Sequence, residues 1–294
     1  MKKWFFCIIV LLLLGYGFTK LKTGMTGLSD ELEPFAVSID NSEEVSQSDR
    51  DEFTIKVTKE MIFHGDLLLV NKDHPVPEGL NPESEAVSLV QNSELIDGFG
   101  VLDNTVLLSP RLVDKFHTMI KAAAEEGVNH FLISSGYRSE DKQDELYRDM
   151  GSEYALPAGY SEHNLGLSMD IGSSQADMNQ APEGKWLKDN SWKYGFILRY
   201  PEDKTAVTGI QFEPWHFRYV GLPHSAIMQE KSLVLEQYLD LLKQQKAVSI
   251  TLGGENYKVF YFPVTKDNTI TVPAQGKYEI SGNNEDGVII TVRE

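Results

Sequence analysis

"SEHNLGLSMDIG", residues 161–172, is the stretch on which the reading of this chain turns. It sets His163 and Asp170 seven residues apart in an otherwise apolar run, with Gly166 between them. A regular strand would send side chains at that odd separation to opposite faces. Gly166 is therefore expected to carry a turn that brings both to one side. Further on, "EPWH" at 213–216 supplies a second carboxylate and imidazole, Glu213 and His216, and Pro214 keeps them out of a helix interior. Catalytic zinc needs three N or O ligands and one open position. His163, Asp170 and His216 meet that count without a thiolate, and Glu213 is left over as a base for metal-assisted hydrolysis. Spacing alone keeps a second reading open, in which a buried His–Asp hydrogen bond explains the pair. The other five histidines, at 64, 74, 117, 130 and 224, read as structural or solvated.

Around this stretch the hydrophobic periodicity alternates between helix and strand. "SPRLVDKFHTMIKAAAEEGV" has Ser109 as N-cap, Pro110 in the first turn, a helical apolar stripe and Gly127 as its end. "HFLISSGYRS" reads as a buried strand running into a loop, and "SEDKQDELYRDMG" and "KWLKDNSWKYGF" as two further helices. "FTIKV" alternates as a strand, and "GDLLLVN" at 65–71 reads as a short buried one. "PHSAIMQEKSLVLEQYLDLLKQQK" is expected to be one long amphipathic helix ending near Lys246. The remaining residues are strand-rich with Gly-Gly, Pro and Asn-Asn turns. The expected class is α+β: a small antiparallel sheet with helices packed around it carries the zinc site, and a small C-terminal β-rich module follows.

The ends bound where such a protein works. "MKKWFFCIIVLLLLGYGFTKLK" puts two lysines before an apolar run, as in a secretory signal or an uncleaved anchor. Residues 23–52 hold nine acidic residues against one arginine and read as a flexible acidic linker. The expected organisation is 1–22 signal anchor or signal peptide, 23–52 linker, 53–245 catalytic domain and 246–294 β module. The domain would sit outside a cell membrane, single-pass, or be secreted if the segment is cleaved. Cys7 is the only cysteine, so the exported part has neither a disulfide nor a thiolate ligand. With 27 basic and 44 acidic residues, a net charge of −17, the chain lacks the basic footprint of a nucleic-acid binder.

"SSGYRS", "SEHNLGLSMD" and "EPWH", with "GDLLLVNKDHPVP", "GYRSEDKQDELY" and "YEISGNN" around them, together resemble the VanY/VanX family of zinc D-alanyl-D-alanine peptidases, and VanY-type D,D-carboxypeptidases in particular. The resemblance implies one catalytic zinc ion held by His163, Asp170 and His216, with Glu213 as general base and Arg138 stabilising the developing oxyanion. It makes Ser161 and Gln143 candidates for holding the substrate's terminal carboxylate or amide, and Trp215 a pocket wall, although core packing would equally explain that tryptophan. Ser168 departs from the small residue, commonly Ala, that the family writes there. The implied activity is removal of the terminal D-Ala from peptidoglycan stem peptides that end in D-Ala-D-Ala, which contributes to vancomycin resistance. Two alternatives are a dipeptidase acting on free D-Ala-D-Ala and a non-catalytic cell-wall-binding protein. No S-x-x-K motif with a suitable lysine near an exported pocket is read, so no acyl-enzyme should form and penicillin labelling is not expected.

Overall fold

A computed structural model describes residues 37–40, 52–152 and 155–294. The expected signal anchor lies outside these residues. Among the described residues no helix is long and apolar enough to cross a membrane.

In chain order the strands are β1 (Val37–Asp40), β2 (Phe53–Val57), β3 (Val87–Ser88), β4 (Gly100–Val101), β5 (Leu107–Leu108), β6 (Phe131–Ser135) and β7 (Ser168–Ser173). They continue with β8 (Phe196–Leu198), β9 (His216–Tyr219), β10 (Ala247–Leu252), β11 (Glu255–Pro263), β12 (Asn268–Val272), β13 (Lys277–Gly282) and β14 (Gly287–Arg293). The α-helices are α1 (Pro110–Glu125), α2 (Glu140–Met150), α3 (Glu162–Leu165), α4 (Pro182–Asn190), α5 (Thr205–Thr208), α6 (His224–Glu230) and α7 (Leu235–Gln245). The architecture is α+β.

The site rests on a five-stranded sheet of order β4-β6-β7-β9-β8, antiparallel except where β4 runs alongside β6. Period-two alternation gives this sheet two unlike faces. Phe131, Ile133, Met169, Ile171, Phe217 and Tyr219 enter the core with α1, while Ser168, Asp170, His216 and Arg218 lie on the opposite face. Asp170 and His216 are direct cross-strand partners, and a bulge in β6 sets Ser135 opposite Asp170. Helix α1 is fixed much as its sequence suggests. Ser109 Oγ accepts from the Leu112 amide at 3.3 Å, and Leu112, Val113, Phe116, Met119, Ile120 and Ala123 form the buried stripe.

A second five-stranded sheet, β1-β10-β11-β14-β13, is built from the C-terminal residues and β1. One face packs on α6 and α7 through Val248, Ile250, Val259 and Ile289. The other, through Val288, Ile290 and Val292, packs on the pair β2–β12.

Four expectations are corrected here. Residues 65–71 are buried, with Leu67 to Val70 nearly inaccessible, but they form no strand ladder. Their backbone groups bond instead to Ser281, Asn283, Asn284 and Arg218, satisfying the polar groups as any buried backbone must. The long helix after residue 222 is two helices, broken at Ser232 with φ 52°. Its apolar stripe reads through the break because both pieces face one core. Within the acidic linker, residues 37–40 pair with β10 as an edge strand. The last fifty residues close no core of their own: β1 and β2 come from before residue 58, and one face of the sheet packs on α6 and α7.

Candidate metal centre

His163 does not lie on a strand. "SEHNLG" folds as the single turn α3, with Ser161 as N-cap, its Oγ accepting from the His163 amide at 3.3 Å. Gly166 ends the turn at φ 76°, in the left-handed region a side chain disfavours, and the chain enters β7 to reach Asp170. A helix-to-strand switch thus resolves the odd spacing. Glu213 and His216 converge through a tight turn, the His216 amide donating to the Glu213 carbonyl at 3.2 Å before β9 begins.

Three ligand-type atoms meet. His163 Nε2 lies 3.3 Å and His216 Nδ1 3.2 Å from Asp170 Oδ1, and donor atoms of the three residues all fall within 4.8 Å of one another. Asp170 Oδ1 is buried with no hydrogen-bond partner, so the angles are not those of hydrogen bonds although the distances are short. An orphaned buried oxygen between two ring nitrogens is what a shared cation would satisfy.

The far side of each ring supports the same orientation. His163 Nδ1 lies 2.6 Å from the Gly136 carbonyl, which can only accept, so Nδ1 carries the proton and Nε2 is left as the ligand. His216 Nε2 lies 3.3 Å from Glu162 Oε2. That carboxylate is fully buried; burial alone would raise its pKa, but Arg199, Arg218 and the His216 ring hold it well below the usual range. It therefore accepts, Nε2 donates, and Nδ1 faces Asp170. The donor set, two imidazoles and one carboxylate, fits a catalytic zinc ion.

The surrounding charges are poised. Burial opposes ionisation of Asp170, yet both imidazoles keep it far below the ordinary carboxylate range. Burial also works against a charged His216, but the Asp170 and Glu162 carboxylates on either side of the ring push it up to about 9, and a cation at Nδ1 would displace the proton held there. Glu213 Oε2 stands 3.7 Å from His216 Nδ1. Burial pushes its carboxyl up to about 7, against the pull of His216 and with help from Asp170, which suits a residue that must take and return a proton near neutrality.

All the candidate residues line one open cavity of about 220 Å³: Arg138, Gln143, Ser161, His163, Asp170, Glu213, Trp215 and His216. Arg138 Nη1 donates to Gln143 Oε1 at 2.7 Å, Nη2 to Ser135 Oγ at 2.9 Å, and Nη2 stands 3.8 Å from Asp170 Oδ2. Gln143 is 1% exposed, and its amide nitrogen donates to the Leu156 carbonyl at 2.5 Å. Both ends of its amide are engaged, so it acts here as a brace for Arg138 rather than a free substrate group. Trp215 remains 39% exposed at the rim, which separates it from the core residues. Ser139 and Lys142 do stand at S-x-x-K spacing, which the sequence expectation overlooked. However, Ser139 Oγ caps α2, Lys142 Nζ pairs with Glu145 at 2.6 Å, and neither lines the cavity.

With this geometry in view, the comparisons are specific. A profile of the VanY family, D-alanyl-D-alanine carboxypeptidase, matches residues 105–222, the span holding every candidate residue. A D-alanyl-D-alanine carboxypeptidase of Enterococcus faecium is 52% identical over 99% of this chain and 96% of its own length. The chain belongs to the VanY family. Among solved structures of the wider group, the D,D-dipeptidase VanXYg in complex with a D-Ala-D-Ala phosphinate analogue superposes with a TM-score of 0.71 at 30% identity, over 83% of this chain and 99% of that one. A mutant of the VanY D,D-pentapeptidase from a VanB-type resistance cassette, in complex with Zn(II), aligns at 31% identity and TM-score 0.50 over 59% of this chain and 98% of that one.

Sequence reasoning missed the support beneath the family's motif residues. Glu162, Arg199 and Arg218 are fully buried, and Tyr200 lies against His216 with ring centres 4.9 Å apart. A signal was available. Each arginine sits in an aromatic, strand-like run, "ILRYP" and "HFRYVG", where a charge has no place unless a buried carboxylate awaits it.

Proposed function

We propose that this chain is an exported, zinc-dependent D,D-carboxypeptidase that removes the C-terminal D-Ala from peptidoglycan pentapeptide precursors and so contributes to vancomycin resistance. The observation that carries the reading is the convergence of His163 Nε2, Asp170 Oδ1 and His216 Nδ1 beside Glu213 and Arg138 in one small cavity. Support for the substrate comes from the carboxypeptidase relative and from the solved VanXYg complex with a D-Ala-D-Ala phosphinate analogue. Export rests on the composition of residues 1–22, which favours a membrane anchor with the catalytic part outside.

His163, Asp170 and His216 would hold the zinc. When bound, that ion supplies Lewis acidity, making water a readier proton donor and a carbonyl more electrophilic. Glu213 takes the proton of the attacking water on a side-chain oxygen and returns it to the amine of the departing D-Ala. Arg138, held by Gln143 and Ser135, presents its guanidinium to the negative charge that develops on the carbonyl oxygen. Leu146, Leu156 and Ile210 line the same cavity with apolar surface suited to alanyl methyl groups. Trp215 at the rim excludes water from the cleaved bond.

The test is D-Ala release from a pentapeptide ending in D-Ala-D-Ala, with and without a chelator, in wild type and Glu213→Ala. Release should depend on metal and fall about 10²- to 10⁴-fold in the variant with zinc retained; unchanged release in Glu213→Ala would sink the mechanism. The likeness to VanXYg favours a second reading, hydrolysis of free D-Ala-D-Ala. Faster turnover of the dipeptide than of the pentapeptide would establish it. A non-catalytic wall-binding role is disfavoured by the complete set His163, Asp170, His216 and Glu213.

A further inference from the structure

Behind the metal centre lies a buried group of four charges that the proposed reaction does not use. Glu162 is accessible at neither side-chain oxygen, and each oxygen accepts two bonds. Oε1 takes Arg199 Nε at 2.8 Å and Arg218 Nη1 at 2.7 Å. Oε2 takes Ser168 Oγ at 2.9 Å and His216 Nε2 at 3.3 Å. All four lone-pair directions are therefore occupied, and the carboxylate cannot turn. Arg218 spends its other groups on the carbonyls of Asp66, Leu68 and Tyr219. Arg199 turns its remaining fork onto Glu236, Nη1 to Oε2 at 2.9 Å and Nη2 to Oε1 at 2.7 Å, a bidentate pair.

Glu236 stands in the first turn of α7. That helix buries Leu235, Tyr238, Leu239 and Leu242 against the C-terminal sheet. Two buried guanidinium groups face one carboxylate at Glu162, and Glu236 restores the balance to two positive and two negative. A buried ion pair is weak evidence for stability, since desolvation offsets the attraction. What such a set supplies is direction: it fixes which nitrogen of His216 carries a proton and which faces Asp170.

We infer that Glu162 is a positioning residue for the metal ligand His216, and that the Arg199–Glu236 pair extends this hold to α7 and the C-terminal sheet. The C-terminal strands then have a purpose at the site, although none of them lines its cavity. The inference rests on the zinc reading for its consequence, but not for its geometry. Ser168, the departure from the family's usual small residue, is in this chain an extra donor to the same carboxylate.

The experiment uses the full-length chain, stripped of metal and titrated with zinc against a chromophoric chelator. Two variants are compared with wild type, and apo-protein unfolding is followed in parallel. Glu162→Gln should weaken zinc binding about 10- to 100-fold, the range typical of outer-shell partners, because its amide can offer a donor to Nε2 and favour the wrong tautomer. Glu236→Gln, which touches no ligand, should weaken it by about tenfold. A Glu162→Gln protein that binds zinc like wild type overturns the inference. A Glu236→Gln protein that is less stable yet binds zinc normally overturns the extension to α7. The wild-type protein supplies a further readout that needs no substitution: a protected, low-field ring proton on His216 Nε2 in the NMR spectrum. Its absence refutes the Glu162 contact. If wild type binds no zinc while that proton is present, the zinc reading fails and the positioning contact stands.

Discussion

Two buried histidines, His216 in the first sheet and His224 where α6 meets the second, are tuned in opposite directions. His216 lies between Asp170 and Glu162 and is pushed up to about 9. His224, at the start of α6, meets only hydroxyls: Tyr238 OH lies 2.7 Å from Nδ1 and Thr291 Oγ1 3.0 Å from Nε2. Burial pushes it down to about 4, with Asp66 opposing weakly from a distance. Desolvation penalises the charged ring at both positions, so the neighbours decide the sign. The first sheet keeps charges on one face for chemistry. The second spends both faces on apolar packing, and His224 of α6 reaches it as a neutral ring through Thr291.

The comparison breaks most sharply at Asp170. Asp170→Asn removes the anion between the two imidazoles and should reduce zinc affinity by more than the roughly 100-fold that a supporting residue commands. D-Ala release should fall with it. His224→Asn, judged by the same chelator competition, should leave zinc affinity within about threefold, since a supporting residue commands at least about tenfold. Equal losses in the two variants would erase the distinction between the regions.

Arg138→Lys comes next. A lysine has no planar fork to be held by both Gln143 and Ser135. Turnover should drop about 10²- to 10³-fold, or about 3–4 kcal/mol, with zinc content unchanged. Steady-state kinetics beside metal analysis would check this.

The pH dependence of stability sharpens the other side. Because the folded His224 binds its proton only near pH 4, the unfolded chain, titrating near 6.5, takes one first as the solution is acidified. The contribution of His224 is fully present above about pH 7 and is lost progressively as pH falls toward 4. Between pH 7 and 5 it should amount to about 2 kcal/mol. Urea unfolding of wild type and His224→Asn at both pH values isolates it, and parallel pH profiles for the two proteins would count against the assignment.

The smallest effect is expected at Gly166. Alanine there must hold φ near 76° and bring its Cβ to 3.2 Å from Pro82 Cβ. A loss of about 1 kcal/mol is expected by urea unfolding. Zinc affinity should decline somewhat too, since the turn sets the spacing of His163 and Asp170.

Local signals were the legible part. Ser109, Pro110 and Gly127 bracket α1 because caps act within one turn, and Gly166 betrays its turn because only backbone freedom is at issue. The motif residues were legible because metal chemistry restricts ligand types and spacings. Where reading failed, the partner lay far along the chain. "GDLLLVN" looked like a strand by hydrophobicity, yet its bonding groups are more than 200 residues away at Ser281 and Asn284. The stripe spanning α6 and α7 looked continuous because one core faces both pieces. Gln143 read as a candidate for holding the substrate's terminal carboxylate or amide, and the structure shows it lining the cavity with its amide engaged by Arg138 and Leu156.

The sequence by itself determined which residues were candidates to bind a metal or act as a base and where the helices begin, since these follow from residue chemistry and short-range geometry. Tertiary structure alone decided that Glu162 faces His216, that Arg199 joins it to Glu236, and that the C-terminal strands need β1 and β2 to complete their packing. Charges and strand edges have no inherent partner; they acquire one only when folding removes water and leaves a single group within reach.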